Sequence, residues 1–401
     1  MNRPIQAVIL AGGRGERLRP FTDNMPKPMI EFHGKPFLEY LIEMLRDQGF
    51  TRILLLLGYL PKIIQDYFGD GSPWGVEIEY SVTDVENDTG RRLKLAQNKI
   101  DSTFLMLYCD NYWPLRFDEM WEIYKTHKVM ALVTAYRNLD HYTRDNLRID
   151  NNGYVLVYDK SRVTPDLSGV DIGFMIMNHS VLDLLSEGNV SFEREVYPHL
   201  IAQHQLLAYI TDHRYYSIGG YDRLPLTEAF LKRSPTVLLD RDGVLNKKAA
   251  PSHYICSWED WEWLPGAKDA LRLYKENGYR VIVISNQAGI ARGSLTEADL
   301  NIIHHNMKEE AIEAGGQIDA IYYCPHHWDD GCSCRKPKPG MLFQAQRDFS
   351  LDLSRTYFLG DDERDGQAAG AAGALWEQVS EENTLLDITL RLLSVQKGEK
   401  A

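Results

Sequence analysis

Three features are scarce in this sequence, and each scarcity excludes a class of protein. No run approaches the roughly 18 apolar residues of a membrane helix, and the start, MNRPIQAVILAGG, lacks the apolar segment of a secretory signal. Because Asp and Glu outnumber Lys and Arg by 57 to 44, the net charge of -13 argues against general nucleic-acid or acidic-membrane partners. Cysteines are few and odd in number, five in all, and three of them lie within eleven positions, which favours a metal site over a disulfide framework. The composition predicts a cytoplasmic chain of more than one domain that acts on small molecules.

A glycine-rich, basic loop follows the first strand-like run. Residues 5–10 are a short apolar run of β type, and AGGRGERLRPFTDNMPKPM follows at residues 11–29. Glycines let the backbone approach a polyphosphate closely, and Arg and Lys side chains supply the countercharge. The residues concerned are Gly12, Gly13, Gly15, Arg17 and Lys27. We therefore predict that this loop cradles a polyphosphate.

These residues resemble the sugar-phosphate nucleotidyltransferase family, whose signature is a strand, then LAGGxGxRLxPxT, then PKP. The resemblance implies a Rossmann-like, mostly parallel sheet covered by helices, with a nucleoside triphosphate in the loop. It also implies that Asp110, at the end of the strand-like FLMLYCD, holds Mg²⁺. Lys160 in VYDKS would meet the sugar phosphate, and Asp171 and Glu193 would contact sugar hydroxyls.

Two departures from the family pattern leave alternatives open. Arg91 and Arg92 replace the small residues common where the family reads the base, so the expected GTP has CTP as its rival. Ser217 stands where the family has its second metal-binding aspartate, and a hydroxyl is a poorer Mg²⁺ ligand than a carboxylate. The first domain is therefore either a transferase or a degenerate, regulatory nucleotide- or sugar-binding domain.

A second strand-like start begins after a Ser-Pro step. Pro235 disfavours helix at Ser234, which predicts a boundary between residues 1–233 and residues 235–401. VLLDRDGVLN follows, with Asp240 and Asp242 directly after a buried strand. Carboxylates two residues apart at a strand end suit nucleophilic attack on phosphorus and proton transfer.

A cysteine- and histidine-rich segment lies later in this half. Cys324 and His326 form one close pair, and Cys332 and Cys334 form another. These four side chains are the ligand set of a tetrahedral zinc, with His327 as the rival to His326. Because all four positions are filled by protein, the predicted zinc is structural.

The second half resembles the haloacid dehalogenase phosphatases. DRDGVLN, SNQAGI, the two metal-ligand pairs, RKPKPGM and GDxxxD resemble the branch of the heptose 1,7-bisphosphate and histidinol phosphatases. The resemblance implies a Rossmannoid domain in which Asp240 attacks phosphorus and Asp242 acts as acid and base. Mg²⁺ would be bound by Asp240, the Asp242 carbonyl and Asp361, with Asp365 in support. The remaining implied roles are phosphoryl binding by Ser285 and Lys336 and substrate contact by Asn286 and Arg335.

Together the two resemblances imply consecutive reactions on one chain. Removal of the C7 phosphate of D-glycero-D-manno-heptose 1,7-bisphosphate leaves heptose 1-phosphate, which the first domain would join to a nucleotide. The expected partners are sugar phosphates, Mg²⁺ in both domains, zinc in the second, and a nucleoside triphosphate. Another sugar bisphosphate or histidinol phosphate remains the alternative for the second domain, and the sequence leaves the oligomeric state open.

Overall fold

The computed structural model describes residues 2–250 and 253–398, and the chain divides into two compact units between Lys232 and Arg233. Each unit is an α/β structure built on its own sheet. Within the described ranges, we find no helix with the length and apolar character needed to span a lipid bilayer.

A seven-stranded sheet forms the centre of the first unit. Its strands are β1 (Gln6–Ala11), β4 (Arg52–Leu57), β5 (Glu77–Val82), β6 (Thr103–Tyr108), β8 (Ala131–Tyr136), β11 (Val170–Asn178) and β12 (Leu206–Thr211). Their order across the sheet is β12-β8-β11-β6-β1-β4-β5. Only β11 runs antiparallel to its neighbours, so the predicted mostly parallel sheet is confirmed.

Helices and three short ribbons complete this unit. The helices are α1 (Phe37–Asp47), α2 (Pro61–Phe68), α3 (Thr89–Ala96), α4 (Phe117–His127), α5 (Phe192–Ala202) and α6 (Leu224–Leu231). The ribbons pair β2 (Glu31–Phe32) with β3 (Lys35–Pro36), β7 (Asn111–Tyr112) with β13 (Tyr216–Ser217), and β9 (Leu147–Ile149) with β10 (Val155–Tyr158). Apolar clusters on both faces of the sheet are buried under the helices, as expected for strands that are apolar on both sides.

The second unit contains a fully parallel five-stranded sheet. Its strands are β14 (Thr236–Leu239), β15 (Arg280–Asn286), β16 (Ala320–Cys324), β17 (Tyr357–Gly360) and β18 (Leu375–Gln378), in the order β16-β15-β14-β17-β18. Its helices are α7 (Ala267–Glu276), α8 (Glu297–Glu313), α9 (Gly340–Phe349), α10 (Glu363–Ala372) and α11 (Leu385–Gly398). Since β14 lies between β15 and β17, the residues that follow these three strands meet at one edge of the sheet.

Local signals in the sequence fix several helix ends. Thr296 and Asp299 form the predicted capping box at the start of α8. A second box, between Asp362 and Asp365, begins α10. Asp365 is therefore held at the first turn of a helix that follows β17, which places its carboxylate at the carboxyl edge of the sheet.

Candidate active site

Lys336 lies between two carboxylates at the carboxyl edge of the second sheet. Its Nζ donates to Asp240 Oδ1 at 2.8 Å, to Asp365 Oδ1 at 2.7 Å and to the Ile284 carbonyl at 2.9 Å. Asp240 directly follows β14, and all three charged side chains are buried. The structure thus brings together three residues that are distant in the sequence.

Burial and charge shift the pKa values of this group. Burial and the neighbouring Asp365 together raise the pKa of Asp240 to about 7, against the opposing effect of Lys336. Burial also opposes the charge of Lys336, but attraction to Asp240 and Asp365 outweighs it and raises the lysine pKa. The single positive charge of Lys336 therefore faces two carboxylates. The excess of negative charge favours binding of a divalent cation.

The residues present fit a magnesium ion. Oxygen atoms of Asp240, Asp361 and Asp365 all lie within 4.8 Å of one another. Asp361 Oδ1 is buried without a hydrogen-bond partner, so it has a lone pair to offer. Gly243 has a φ of 94°, and a Cβ there would lie 2.3 Å from Asp361 Oδ2, which explains the glycine in the turn. Hard carboxylate oxygens are the ligands that Mg²⁺ prefers.

The Asp242 side chain points to a different set of partners. Arg241 donates to both of its oxygens through Nη2, at 3.0 and 2.9 Å, and Asn246 and Gln287 donate at 3.0 Å each. Burial opposes ionisation, but Arg241 and these donors lower the pKa of Asp242. Among the described residues, the carboxylates that converge near Lys336 do not include Asp242. If Asp242 contacts the magnesium ion, it does so through its backbone carbonyl, as predicted.

Arg241 is a site residue that the sequence interpretation missed, whereas Gln287 was expected at the end of its strand but as a group that contacts the phosphoryl oxygens. Arg241 is 1% exposed and its Nη1 lies 3.4 Å from His304 Nε2, while Gln287 also donates to Ser285 Oγ at 2.7 Å. Arg241 stands between the two aspartates in the sequence. This position was the available signal, because a basic residue between two aspartates that follow a buried strand must lie at the same edge of the sheet as they do.

The other predicted phosphatase residues surround Lys336. Ser285 is buried at the end of β15. Asn286 uses both amide atoms on the Lys336 backbone, accepting from its N–H at 3.0 Å and donating to its carbonyl at 3.1 Å. Arg335 lines an adjacent cavity of about 360 Å³, and its buried Nη1 has no hydrogen-bond partner. Asn286 therefore positions Lys336, and Arg335 retains a free donor for a ligand.

Cys324, His326, Cys332 and Cys334 converge as the ligand set predicted for zinc. The distances from Cys324 Sγ are 3.6 Å to His326 Nδ1, 3.6 Å to Cys332 Sγ and 3.3 Å to Cys334 Sγ, and His326 Nδ1 lies 3.2 Å from Cys334 Sγ. Ligands of a tetrahedral zinc are separated by about 3.5 to 3.8 Å, given Zn–S near 2.3 Å and Zn–N near 2.0 Å. Two of the four distances lie in this range and the other two are a few tenths of an ångström shorter, so a small outward shift of the side chains would accommodate the ion. The rival His327 instead caps a short helical turn through Asp329.

The glycine-rich loop of the first unit lines a cavity of about 610 Å³. All predicted members are in its wall: Gly12, Gly13, Gly15, Arg17, Lys27 and Asp110. Lys27 Nζ lies 2.6 Å from Asp110 Oδ2, and this ion pair outweighs burial and lowers the Asp110 pKa. A charged carboxylate, a lysine and exposed loop amides in one cavity suit a metal-bound polyphosphate.

The three predicted sugar-binding residues form one neighbouring cluster. Lys160 Nζ is 3.9 Å from Glu193 Oε2, and Glu193 Oε1 accepts from the Tyr108 hydroxyl at 2.6 Å. Asp171 accepts from the Tyr197 hydroxyl at 2.9 Å, and burial raises its pKa to about 6. Tyr108 also lines the 610 Å³ cavity, so it connects this cluster to the loop.

Ser217 lies beside Asp110, as its place in the family pattern implies. The pairing of β13 with β7 puts Ser217 opposite Asn111, and its hydroxyl donates to the Asp110 carbonyl at 3.1 Å. The hydroxyl thus takes up a backbone acceptor next to the predicted metal ligand.

Comparison with known proteins agrees with this architecture. The nucleotidyl transferase family model matches residues 6–164, and the polynucleotide kinase 3 phosphatase model matches residues 236–379. D-glycero-beta-D-manno-heptose-1,7-bisphosphate 7-phosphatases from Pseudomonas putida and Pseudomonas aeruginosa are 42% and 43% identical. Each alignment covers 34% of this chain and, respectively, 78% and 75% of the relative.

A solved structure supports the fold of the first unit. A putative glucose-1-phosphate thymidylyltransferase from Bacillus anthracis aligns with a TM-score of 0.51 and 19% identity, over 56% of this chain and 94% of that one. Fold and site together define a nucleotidyltransferase unit followed by a haloacid dehalogenase-type phosphatase unit. Through the second unit, the chain belongs to the family of the D-glycero-beta-D-manno-heptose-1,7-bisphosphate 7-phosphatases.

Proposed function

We propose that the chain catalyses two consecutive steps in the synthesis of a nucleotide-activated heptose. The second unit hydrolyses the C7 phosphate of D-glycero-D-manno-heptose 1,7-bisphosphate. The first transfers a nucleotidyl group, GMP from GTP, to the resulting heptose 1-phosphate and releases pyrophosphate. The family of the second unit supports the choice of phosphatase substrate. The presence of both units on one chain supports the order of the steps, because the phosphatase product is a sugar 1-phosphate, the kind of acceptor that nucleotidyltransferases use.

The observation that carries the phosphatase assignment is the position of Lys336 between Asp240 and Asp365. Asp240 attacks phosphorus, and the bond between phosphorus and the sugar oxygen breaks. Asp242 gives a proton to that oxygen, which requires that the bound phosphate dianion raises the pKa that Arg241 lowers in the free site. Asp242 then takes a proton from water, which attacks the phospho-aspartate and releases inorganic phosphate. Lys336 stabilises the phosphoryl oxygens. A magnesium ion held by Asp240 and Asp361 would add positive charge at the same oxygens.

The transferase assignment rests on the cavity formed by the glycine-rich loop. Backbone N–H groups of the loop, Arg17 and Lys27 bind the triphosphate, and Asp110 would hold magnesium. The oxygen of the sugar phosphate attacks the α-phosphorus, and pyrophosphate leaves. GTP is our choice of nucleotide and CTP the alternative, since Arg91 and Arg92 differ from the family pattern.

Ser217 favours a second candidate for the first unit. Without a second carboxylate beside Asp110, that unit would bind nucleotide or sugar phosphate and regulate the phosphatase without turnover. The two candidates predict different products.

A two-product assay separates them. The full chain is incubated with heptose 1,7-bisphosphate, Mg²⁺ and each nucleoside triphosphate in turn, and phosphate and pyrophosphate are followed. We expect both products with GTP. Phosphate without pyrophosphate under every nucleotide would reject the bifunctional assignment and favour the regulatory one.

Matched variants assign each product to a unit. Asp240→Asn should abolish phosphate release and leave transfer to supplied heptose 1-phosphate intact. Asp110→Ala should have the reverse effect. Retained phosphatase activity in Asp240→Asn would show that the nucleophile is assigned wrongly.

A further inference from the structure

Arg92 is a buried arginine whose recorded hydrogen-bond acceptors are all neutral. It is 3% exposed and lies on α3, in the wall of the 610 Å³ cavity. Its Nη1 donates to the Leu57 carbonyl at 2.8 Å and to Thr83 Oγ1, and its Nη2 donates to the carbonyls of Val85 at 3.0 Å and Gly12 at 3.3 Å. These acceptors come from three separate segments around one end of the cavity.

The guanidinium lies directly beneath the glycine-rich loop. A Cβ on Gly12 would come within 2.3 Å of Arg92 Cζ, and one on Gly58 would come within 2.5 Å of both terminal nitrogens. Both positions are glycine because the arginine occupies the space of a side chain. The loop carbonyl at Gly12 is consequently tied to Leu57 and to the segment that contains Thr83 and Val85.

Among the described residues, no carboxylate forms an ion pair with Arg92. Burial lowers its pKa, and Asp84 and Asp88 oppose this only through longer-range attraction. A buried charge with neutral partners alone is unfavourable unless a ligand brings the opposite charge. The cavity that Arg92 lines also contains Arg17 and Lys27, so a polyphosphate is the ligand whose chemistry fits.

We propose that Arg92 is a positioning residue of the nucleotide site, which holds the phosphate loop against the 83–85 segment and places a buried positive charge under the triphosphate. This inference rests on the proposed transferase function. It predicts that Arg92 contributes more to binding of the triphosphate than to binding of the nucleoside.

The test compares GTP and guanosine binding by calorimetry in the full chain. In Arg92→Gln, we expect affinity for GTP to fall by about tenfold to 100-fold, because a hydrogen-bonded interaction with a charged group contributes about 1.5 to 3 kcal/mol. Guanosine affinity should change by less than about threefold. Arg92→Lys, which keeps the charge but loses the multiple donors, should recover part of the GTP affinity.

Two controls separate this role from a loss of folding. Arg52→Gln removes another arginine of the first unit, which pairs with Asp101 at 2.8 Å and is not in the cavity wall, and should bind GTP as the parent chain does. The melting temperature of the first unit reports whether each variant folds, and phosphate release shows that the second unit in the same sample is intact.

The outcomes distinguish the two proposals. If the parent chain binds GTP and Arg92→Gln binds it equally well, or loses guanosine to the same degree, the role of Arg92 is rejected. If the parent chain binds neither GTP nor CTP, the proposed transferase function fails, and the role of Arg92 fails with it.

Discussion

The ammonium group of Lys248 lies 2.7 Å from Asp361 Oδ2, on a carboxylate that the magnesium assignment requires. The same nitrogen is 3.7 Å from Asp362 Oδ2. The attraction to Asp361 outweighs burial and raises the pKa of Lys248, so the lysine stays charged at neutral pH. A fixed cation and a metal ion therefore compete for one ligand.

Replacing Lys248 with Met should strengthen magnesium binding. Because about half of the Lys248 side chain is exposed, the ion pair is partly screened, and we expect a gain in affinity of about two- to fivefold. Calorimetric titration with Mg²⁺ in the absence of substrate measures it. Lys247→Met is the matched control, since Lys247 pairs with Glu262 at 3.2 Å on the exposed surface. Weaker binding in Lys248→Met would mean that the lysine organises Asp361 instead of competing for it.

If Cys334 is a zinc ligand, replacing it should reduce both the zinc content and the phosphatase activity. Cys334→Ser should lower the zinc content from about one ion per chain and reduce the melting temperature of the second unit, since metal binding contributes to folding. Phosphate release should fall as well, because the cysteine directly precedes Arg335 and Lys336. Metal analysis, calorimetry and the phosphate assay are made on one preparation.

Cys256→Ser is the control for this change. Cys256 is in the same unit but outside the four-ligand cluster. Equal zinc content in Cys334→Ser and Cys256→Ser would contradict the ligand assignment.

The partly buried carboxylate of Asp171 predicts a pH dependence of stability. Burial and the nearby Glu193 raise its pKa to about 6, above its ordinary value of 3.8. At a pH below both values the group is protonated in the folded and unfolded chains. Between about pH 4 and pH 6 the unfolded chain loses this proton first, so its contribution makes the fold less stable as pH rises through that window.

Asp171→Asn should remove this effect. At pH 7 we expect the first unit to gain about 1 to 3 kcal/mol and a few degrees in melting temperature, with no gain at pH 4. Asp183→Asn, at an exposed carboxylate in the same unit, should change neither value. A gain that is equal at both pH values would show that ionisation of Asp171 is not its cause.

Much of the architecture follows from local patterns in the sequence. Buried strands that end in a carboxylate predicted that Asp110, Asp240 and Asp361 lie at strand ends, because the apolar character of a strand and the residue that follows it are local features. The convergence of Cys324, His326, Cys332 and Cys334 was predictable from spacing, since two close pairs on one loop reach a common point. For the other predicted phosphatase residues, it was the family resemblance that indicated which of them lie together at the edge of the sheet.

Other features depend on how distant segments meet. Arg92 was noted only as a departure from the family pattern, and its contacts with Gly12 and Leu57 exist because three loops converge on it. Arg241 and Lys248 were not assigned roles, because an arginine or lysine in a sequence is usually solvated. Their side-chain directions are set by the packing of the whole unit.

The position of Ser217 gives the most direct test of the metal site in the first unit. Its backbone is fixed by the pairing of β13 with β7, and its side chain already reaches the Asp110 backbone. Ser217→Asp should place a second carboxylate beside Asp110 without moving either strand. Since carboxylate count tunes the affinity of oxygen-ligand sites, we expect the Mg²⁺ concentration for half-maximal pyrophosphate release to fall by roughly tenfold.

Ser217→Ala makes the interpretation specific, because it removes the hydroxyl and its hydrogen bond without adding charge. If the first unit is a transferase with a weakened metal site, Ser217→Asp gains rate at low Mg²⁺ while Ser217→Ala matches the parent chain. If the parent chain releases no pyrophosphate but Ser217→Asp does, the first unit is a regulatory unit derived from a transferase. If Ser217→Asp instead loses activity, Asp110 and the phosphates already supply enough ligands for the metal, and an added negative charge only repels the triphosphate.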